Sequence, residues 1–468
     1  MKLYNTLTKQ VEEFVPYEDG KVKMYTCGPT VYHFAHIGNL RTYIMEDVLE
    51  RFLRYYGYKV TRAMNITDVG HLTGDSDDGE DKMVAGAKRE HKSVYEIAQF
   101  YTDAFFADCK KLNVLRPEII RPATQCIDGF INMISVLLDK GYAYKSGGNV
   151  YFDTSKAKAY YALSGHSAEE LMVGVRDDVT EDGNKRNKND FALWFTKSKF
   201  DSQELKWDSP WGVGYPGWHI ECSTIAIENL GEHLDIHCGG VDNIFPHHTN
   251  EIAQSEAFLG HKWCNYWFHS QHLNDEQGKM SKSRGEFLTL SLLVEKGYDP
   301  LAYRLFCLQS HYRKPLTFTF ANLDNAQKTY DKLRQRISKI KKDGSFDKEA
   351  FDTYKKQFTD NVANDMNTSL GLTALYDVLK ADISGATKIA LIDDFDKVLG
   401  LDLTAPYEPK EEAPAEDDAD AGYIEAKIRE RAEAKKAKNY ALADAIRKEL
   451  ADKGIVLVDT PTGTTYHR

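Results

Sequence analysis

The sequence predicts an α/β protein: a Rossmann-like catalytic domain with a parallel sheet and an insertion, followed by an α-helical bundle and a small C-terminal module. Three patterns predict it. Residues 21–66 alternate from strand to helix to strand, residues 217–267 repeat that alternation, and the chain after Ser291 is helical in pattern up to Leu399. Strand–helix–strand units build parallel sheets, whose ligand sites lie beyond the carboxyl ends of the strands.

The first alternation begins with KVKMYTC, which reads as a strand. A helix is predicted next, because Leu40, Ile44, Val48 and Phe52 recur every four residues and so share one face. Gly57 precedes a second strand, which we expect to end near residue 66.

The second alternation reads as the helix WHIECSTIAIENL, the short strand HLDIHC and the helix HHTNEIAQSEAFL. We interpret the two stretches as halves of one sheet. Between them, residues 118–215 carry a helix of their own at 127–138 and a charged run, which is typical of an insertion.

Composition predicts the rest of the organisation. Residues 408–420 hold seven acidic residues and two prolines, which favours a solvated linker. The predicted parts are the first half of the catalytic domain at 1–117, the insertion at 118–215, the second half at 216–275, a loop and stem-contact region at 276–318, a helical bundle at 319–405, the linker at 406–422 and a C-terminal module at 423–468.

The net charge of −11 over 468 residues excludes a generic polyanion binder, so a nucleic acid would have to meet a local basic face. The C-terminal module offers one, at Lys427, Arg429, Arg431, Lys435, Lys436 and Lys438. The chain has no apolar run long enough to span a membrane and no export signal, so we expect a cytoplasmic protein. Its seven scattered cysteines suit metal ligands or nucleophiles better than a disulfide framework.

Two short motifs suit phosphate chemistry. His36 and Asn39 lie between the first strand and its helix, where backbone amides and the helix dipole attract anions. Lys279 and Lys282 lie among serines and glycines in a predicted loop, which suits neutralising a polyphosphate as charge builds in a transition state. Taken singly, each motif also fits an ordinary helix start or a solvated basic loop.

A metal site is predicted from four residues far apart in sequence. Cys27 ends the first strand, Cys222 lies in a predicted helix, and His247 and Glu251 are four residues apart on one helix face. Two thiolates, an imidazole and a carboxylate suit Zn²⁺. Isolated buried cysteines are the alternative explanation.

The two phosphate motifs together resemble the paired signatures of class I aminoacyl-tRNA synthetases. The second signature, KMSKS, matches at all five positions from Lys279, whereas the first ends in Asn39 where histidine is commoner, and an amide can still donate a hydrogen bond there. The segments CGPTVY, GWHIECS, IHCGGVD and PHHTNEIAQ further resemble the cysteinyl-tRNA synthetases, and this similarity extends over nearly the whole chain.

The resemblance implies ATP-dependent ligation of L-cysteine to tRNA(Cys) by a monomer that holds one Zn²⁺ and uses ATP with Mg²⁺. Metal selection of a thiolate would then exclude serine without an editing site. The implied roles are as follows: metal ligation by Cys27, Cys222, His247 and Glu251; catalysis by His36, Asn39, Lys279 and Lys282; ATP binding by His36, Asn39, Gly240, Asp242 and Lys282; and substrate binding by Gly28, Thr30, Thr67, Trp218 and His237.

Two other functions fit part of the sequence. A cysteine ligase of mycothiol-type synthesis would share the activation step, but the basic residues after Gly422 argue against it. A non-catalytic tRNA-binding paralogue would not need the intact motif that begins at Lys279. Exchange of ATP and pyrophosphate that depends on cysteine separates an enzyme from such a paralogue.

Overall fold

The computed structural model describes residues 1–69, 93–165, 183–197, 205–275, 278–279, 288–407 and 421–467, the last range without 438, 452, 454 and 461–462. The chain divides into two compact units, a large unit of residues 1–405 and a C-terminal unit of residues 406–468. None of the described helices combines the length and apolar character that a membrane span needs.

The described strands run along the chain in the following order. They are β1 (Lys2–Asn5), β2 (Gln10–Glu13), β3 (Lys21–Thr26), β4 (Lys59–Ile66), β5 (Ile119–Pro122), β6 (Ala143–Ser146), β7 (Asn149–Phe152), β8 (Phe191–Phe195), β9 (Tyr215–Pro216), β10 (Leu234–Gly240), β11 (Cys264–Ser270), β12 (Leu273–Asp275), β13 (Gly278–Lys279), β14 (Leu316–Thr317), β15 (Val456–Thr460) and β16 (Gly463–His467).

The described α-helices lie between and after these strands. They are α1 (Ile37–Tyr56), α2 (Val94–Lys111), α3 (Ile127–Asp139), α4 (Trp218–Leu230), α5 (Thr249–Leu259), α6 (Leu290–Glu295), α7 (Pro300–Leu308), α8 (Phe320–Ser338), α9 (Lys348–Ala363), α10 (Thr368–Lys380), α11 (Gly385–Leu399), α12 (Ala421–Lys436) and α13 (Tyr440–Ala451).

The central sheet of the large unit has five parallel strands in the order β11-β10-β3-β4-β5. The first alternation therefore supplies one side of the sheet and the second supplies the other, as predicted. Strand order changes direction between β3 and β10, and ligands of such sheets bind in the crevice at that point. Cys27 directly follows β3, and Gly240 is the last residue of β10, so both lie at this point.

Helix α1 follows from its sequence pattern. Leu40, Ile44, Val48 and Phe52 are all fully or almost fully buried, so the predicted apolar face is confirmed. The helix stops at Gly57, whose φ of 113° is a conformation that side chains disfavour. Burial of this face fixes the amino end of α1 at the edge of the sheet where the strands end.

Smaller elements surround the central sheet. Strands β6 to β9 form a four-stranded antiparallel sheet, and the two-residue strand β13 pairs with β12 beside β14. One apolar core continues from α1 into helices α7 to α11, joining the sheet to the helical region. In the C-terminal unit, α12 and α13 precede the hairpin of β15 and β16, and Ile446, Leu450, Ile455 and Leu457 form its core.

Candidate active site

A cavity of about 420 Å³ opens at the switch point of the central sheet. The predicted site residues that line it are Cys27, Gly28, Thr30, His36, Asn39, Trp218, Gly240, Asp242 and His247. Thr67, Cys222, His237 and Glu251 lie behind this lining and are buried. The fold thus gathers residues from both halves of the sequence at one edge of the sheet.

The four predicted metal ligands converge at one end of the cavity. Their donor atoms all lie within 4.8 Å of one another. The two sulfur atoms, of Cys27 and Cys222, are 3.9 Å apart, and His247 Nε2 is 2.9 Å from Glu251 Oε1. Two thiolates bound to one tetrahedral zinc lie about 3.8 Å apart, so the residues present fit this ion.

The electrostatics of the cluster favour a cation. A hydrogen bond from Cys27 lowers the pKa of Cys222 to about 7, although burial opposes the change. Burial alone would raise the pKa of Glu251, but His237 and His247 outweigh it and hold that pKa at about 2. The same hydrogen bond, together with burial, raises the pKa of Cys27 well above its usual value. One thiolate, of Cys222, and one carboxylate, of Glu251, therefore lie side by side in a buried place, which favours a divalent cation.

Additional histidines surround the cluster. His248 Nε2 is 3.3 Å from Cys27 Sγ, and its Nδ1 is 2.8 Å from His269 Nε2, which continues the chain to Thr6. Cys27, His237, His248 and Glu251 form a second set of donors within 4.8 Å, sharing two members with the first. Neither His248 nor His269 was among the site residues predicted from the sequence.

The start of α1 forms a capping box. His36 Nδ1 accepts a hydrogen bond from the Gly38 amide at 3.0 Å, and Asn39 Oδ1 accepts one from the His36 amide at 3.3 Å. Because Nδ1 accepts, the ring proton lies on Nε2, which can donate to an anion. Asn39 itself is exposed at the helix start.

A hydrogen-bonded group holds the loops that follow β3 and β4. The Gly28 amide donates to Asn65 Oδ1 at 2.7 Å, Asn65 Nδ2 donates to Thr67 Oγ1 at 2.9 Å, and Thr67 Oγ1 donates to Glu221 Oε2 at 2.9 Å. A Cβ on Gly28 would lie 1.6 Å from the carbonyl oxygen of Asn65, so the close approach requires glycine there. Thr30 pairs with Thr67 in an isolated parallel bridge.

Aromatic stacking orders two further predicted residues. The Trp218 ring centroid is 4.8 Å from that of His247. His237 stacks on Trp267 at 4.7 Å with nearly parallel rings, and its Nε2 is 2.8 Å from Glu251 Oε2. These contacts orient two imidazoles toward the same carboxylate.

The remaining predicted residues are placed only in part. Lys279 lies in β13, opposite Asn274 of β12, and Lys282 falls outside the described residues. Asp242 follows β10 and lies 3.5 Å from His272 Nδ1. Leu288, the first described residue after Lys279, accepts a hydrogen bond from the amide of Ile37 at 2.9 Å, and so lies beside the start of α1.

The chain is similar in sequence to known proteins. A family model described as "tRNA synthetases class I (C) catalytic domain" matches residues 13–328. A cysteine–tRNA ligase of Treponema denticola is 44% identical, over 100% of this chain and 99% of that protein. Cysteine–tRNA ligase 1 of Burkholderia lata is 43% identical, over 99% and 96% respectively.

Among solved structures, methionyl-tRNA synthetase of Mycobacterium tuberculosis in complex with methionyl-adenylate aligns with a TM-score of 0.54. The alignment covers 81% of this chain and 88% of that one, at 14% identity, and so supports the fold alone. The two ligase matches, in contrast, extend over 99 to 100% of the chain. The chain therefore belongs to the cysteine–tRNA ligases, within the class I aminoacyl-tRNA synthetases.

Proposed function

We propose that the cavity at the switch point is the place where this chain, as a cysteine–tRNA ligase, activates cysteine with ATP and passes it to tRNA in translation. The observation that carries the proposal is the convergence of Cys27, Cys222, His247 and Glu251 at one end of a cavity whose other wall is the start of α1. The 44% identity to a cysteine–tRNA ligase over the full chain favours transfer of cysteine to tRNA over the two alternatives, a mycothiol-type cysteine ligase and a non-catalytic tRNA-binding paralogue.

Zinc would be held by these four residues, one ion per chain. A bound zinc ion would supply a soft Lewis acid that prefers a thiolate to a hydroxyl group, which separates cysteine from serine. Trp218, Thr67 and His237 would form the amino-acid pocket around the substrate. Purified protein should contain about one zinc per chain and should exchange pyrophosphate with ATP in the presence of cysteine but not serine.

The nucleotide would occupy the opposite half of the cavity. Gly240 and Asp242 would face the adenosine of ATP, which enters with Mg²⁺, and Gly28 and Thr30 would border the adenylate. His36 Nε2 and the side chain of Asn39 would donate to phosphate oxygens beside the positive end of α1.

The reaction then needs positioning more than covalent catalysis. The cysteine carboxylate attacks the α-phosphorus of ATP, and pyrophosphate leaves. The 2′-hydroxyl of the terminal adenosine of the tRNA then attacks the carbonyl carbon of the adenylate, and AMP leaves. Lys279 and Lys282 would neutralise the charge that develops on the phosphates. Leu288, the first described residue after their segment, accepts a hydrogen bond from Ile37 of α1, which supports this role.

Replacing Lys282 by alanine should lower kcat of cysteine-dependent pyrophosphate exchange by about 100-fold or more, with little change in KM for ATP. The reason is that its charge is needed chiefly in the transition state. Lys59→Ala is the matched control, because Lys59 is exposed at the amino end of β4, away from the cavity. A raised KM with unchanged kcat would contradict the assignment.

The C-terminal unit would bind the anticodon region of tRNA(Cys), with residues 319–405 contacting the tRNA as well. The structure corrects one expected contact: Arg431 is buried, so it cannot reach a phosphate. Lys427 pairs with Glu430 at 3.2 Å and with Glu449 at 3.3 Å. Lys435 and Lys436 are exposed on α12 and are the candidates that we would test first.

Removal of residues 421–468 should leave cysteine-dependent pyrophosphate exchange intact and slow tRNA charging. The salt dependence of tRNA binding should weaken by about 0.7 to 0.9 in the slope of log K against log salt for each tRNA phosphate that this unit neutralises. Changing Lys435 and Lys436 to glutamate in the full chain should also slow tRNA charging and weaken the salt dependence of tRNA binding. If the parent, the truncated protein and this variant charged tRNA at equal rates, the C-terminal unit would have no role in tRNA recognition. The proposed enzyme is a cytoplasmic monomer.

A further inference from the structure

Glu46 is a buried carboxyl in the wall of the cavity. Its residue exposure is 0%, and it lies on α1 two turns after Asn39. Asn39, Thr42, Tyr43 and Glu46 recur at helical spacing, and all four line the cavity. One face of α1 therefore leads from the proposed phosphate site down to this carboxyl.

Neither carboxyl oxygen of Glu46 has a hydrogen-bond partner among the described residues. Its cationic neighbour Arg62 is engaged elsewhere, with Nε 3.1 Å from Glu50 Oε2. Burial raises the pKa of Glu46 to about 8, and the charge of Arg62 only partly opposes that change. An unpartnered buried carboxyl destabilises a fold, so its presence in a binding cavity points to a ligand group that completes it.

The charges of the residues that line the cavity indicate which ligand group would pair with Glu46. Among the described residues that line the cavity there is no lysine or arginine, and the carboxyls are those of Glu46 and Asp242. Asp242 already has His272 beside it. Two carbon atoms separate the sulfur of cysteine from its ammonium nitrogen, so a cysteine whose sulfur lies at the Cys27 end must place its ammonium group close to that end.

We propose that Glu46 binds the α-ammonium group of the cysteine substrate. The inference rests on the proposed cysteine site. A charge-assisted hydrogen bond in a buried place would fix the orientation of the amino acid, and so direct its carboxylate toward the nucleotide half of the cavity.

Three thiol ligands separate the functional groups of cysteine. Cysteamine keeps the thiol and the ammonium group, 3-mercaptopropionate keeps the thiol and the carboxylate, and L-cysteine has all three. Their binding to the zinc-loaded full-length protein, freed of unbound metal, is measured by isothermal titration calorimetry without ATP. Glu46→Gln should weaken cysteine and cysteamine by at least about tenfold, and 3-mercaptopropionate by less than about twofold.

Asp103→Asn is the matched control, because it removes an exposed carboxylate of α2 that does not line the cavity. It should leave the ratio of cysteine to 3-mercaptopropionate affinity unchanged. Equal weakening of all three ligands by Glu46→Gln would mean a structural role and would overturn the proposal. So would unchanged binding, as expected if water alone completes Glu46, or a loss confined to the two ligands that carry a carboxylate.

Stability provides an independent readout. Glu46→Gln and Glu46→Met should melt at the same temperature as the ligand-free parent or higher, because each removes an unpartnered buried carboxyl. Added cysteine should raise the melting temperature of both variants by less than it raises that of the parent. The proposal would be overturned if both variants melted at a lower temperature than the parent and if added cysteine raised their melting temperatures as much as it raises that of the parent. If the parent protein itself bound no cysteine, the proposed site would fail together with this inference.

Discussion

Replacing Cys222 by serine should remove zinc from the purified protein and abolish preference for cysteine over serine. A serine hydroxyl does not ionise near neutral pH, whereas the thiol of Cys222 has a pKa of about 7 beside Cys27. We expect zinc affinity to fall by more than about 100-fold, because even changes outside the ligand sphere cost 10- to 100-fold. Zinc content by mass spectrometry and pyrophosphate exchange with each amino acid measure the two effects.

Cys126→Ser is the matched control for this variant. Cys126 is also buried, but its sulfur donates to the Pro122 carbonyl at 3.6 Å, away from the cluster. This control should keep full zinc and full selectivity. If Cys222→Ser retained both, the assigned ligand set would be wrong, and the second set, which includes His248, would be the one to test by His248→Asn.

The sequence was sufficient to predict the elements that position the site. The four-residue spacing from Leu40 to Phe52 correctly predicts one buried apolar face of α1, although residues 43–50 are buried on every side of the helix. The parallel sheet follows from two strand–helix–strand units, and the position of Cys27 follows from the end of β3. These are local patterns or consequences of simple connectivity rules.

Other features of the site depend on pairings that no local pattern encodes. His248, which directly precedes α5, contacts His269 of β11, and neither has a sequence signal beyond the histidine doublet. Glu46 reads as one more charged residue on an amphipathic helix, yet it is fully buried. Arg431 likewise looked like part of a basic face, but the helical phase of α12 turns it inward. Charge composition does not reveal which side of a helix is covered.

Replacing Asp47 by asparagine should destabilise the large unit by about 3 to 5 kcal/mol at pH 7, because it leaves a buried arginine without its counter-charge. Arg304 Nη2 is 2.6 Å from Asp47 Oδ2, and both side chains are fully buried. Arg51 Nε also lies 2.8 Å from the same oxygen, and the Leu115 amide donates to the other one at 2.7 Å. The carboxylate thus links α1 to α7 and to the segment after α2.

Denaturation by urea, followed by tryptophan fluorescence, measures this loss in the right part of the molecule, because all six tryptophans belong to the large unit. Asp103→Asn is the matched control, since Asp103 is exposed on α2 and should cost less than about 0.5 kcal/mol. A midpoint for Asp47→Asn close to that of the control would mean that Arg304 finds its partners in the backbone carbonyls alone.

The stability difference between the parent and Asp47→Asn should depend on pH in a direction set by the pKa of Asp47. Burial would raise the pKa of Asp47, but Arg304, Arg51 and the Leu115 amide outweigh burial and lower it below the usual value. A carboxyl with a depressed pKa in the folded state contributes its full stability above its unfolded pKa of about 3.9 and loses it as the pH falls through the lower folded value. The stability gap between the parent and Asp47→Asn should therefore be constant from pH 7 to about 5 and should narrow below about 4. A gap that stayed equally wide at pH 3 would mean that lost packing, rather than lost charge, destabilises the variant.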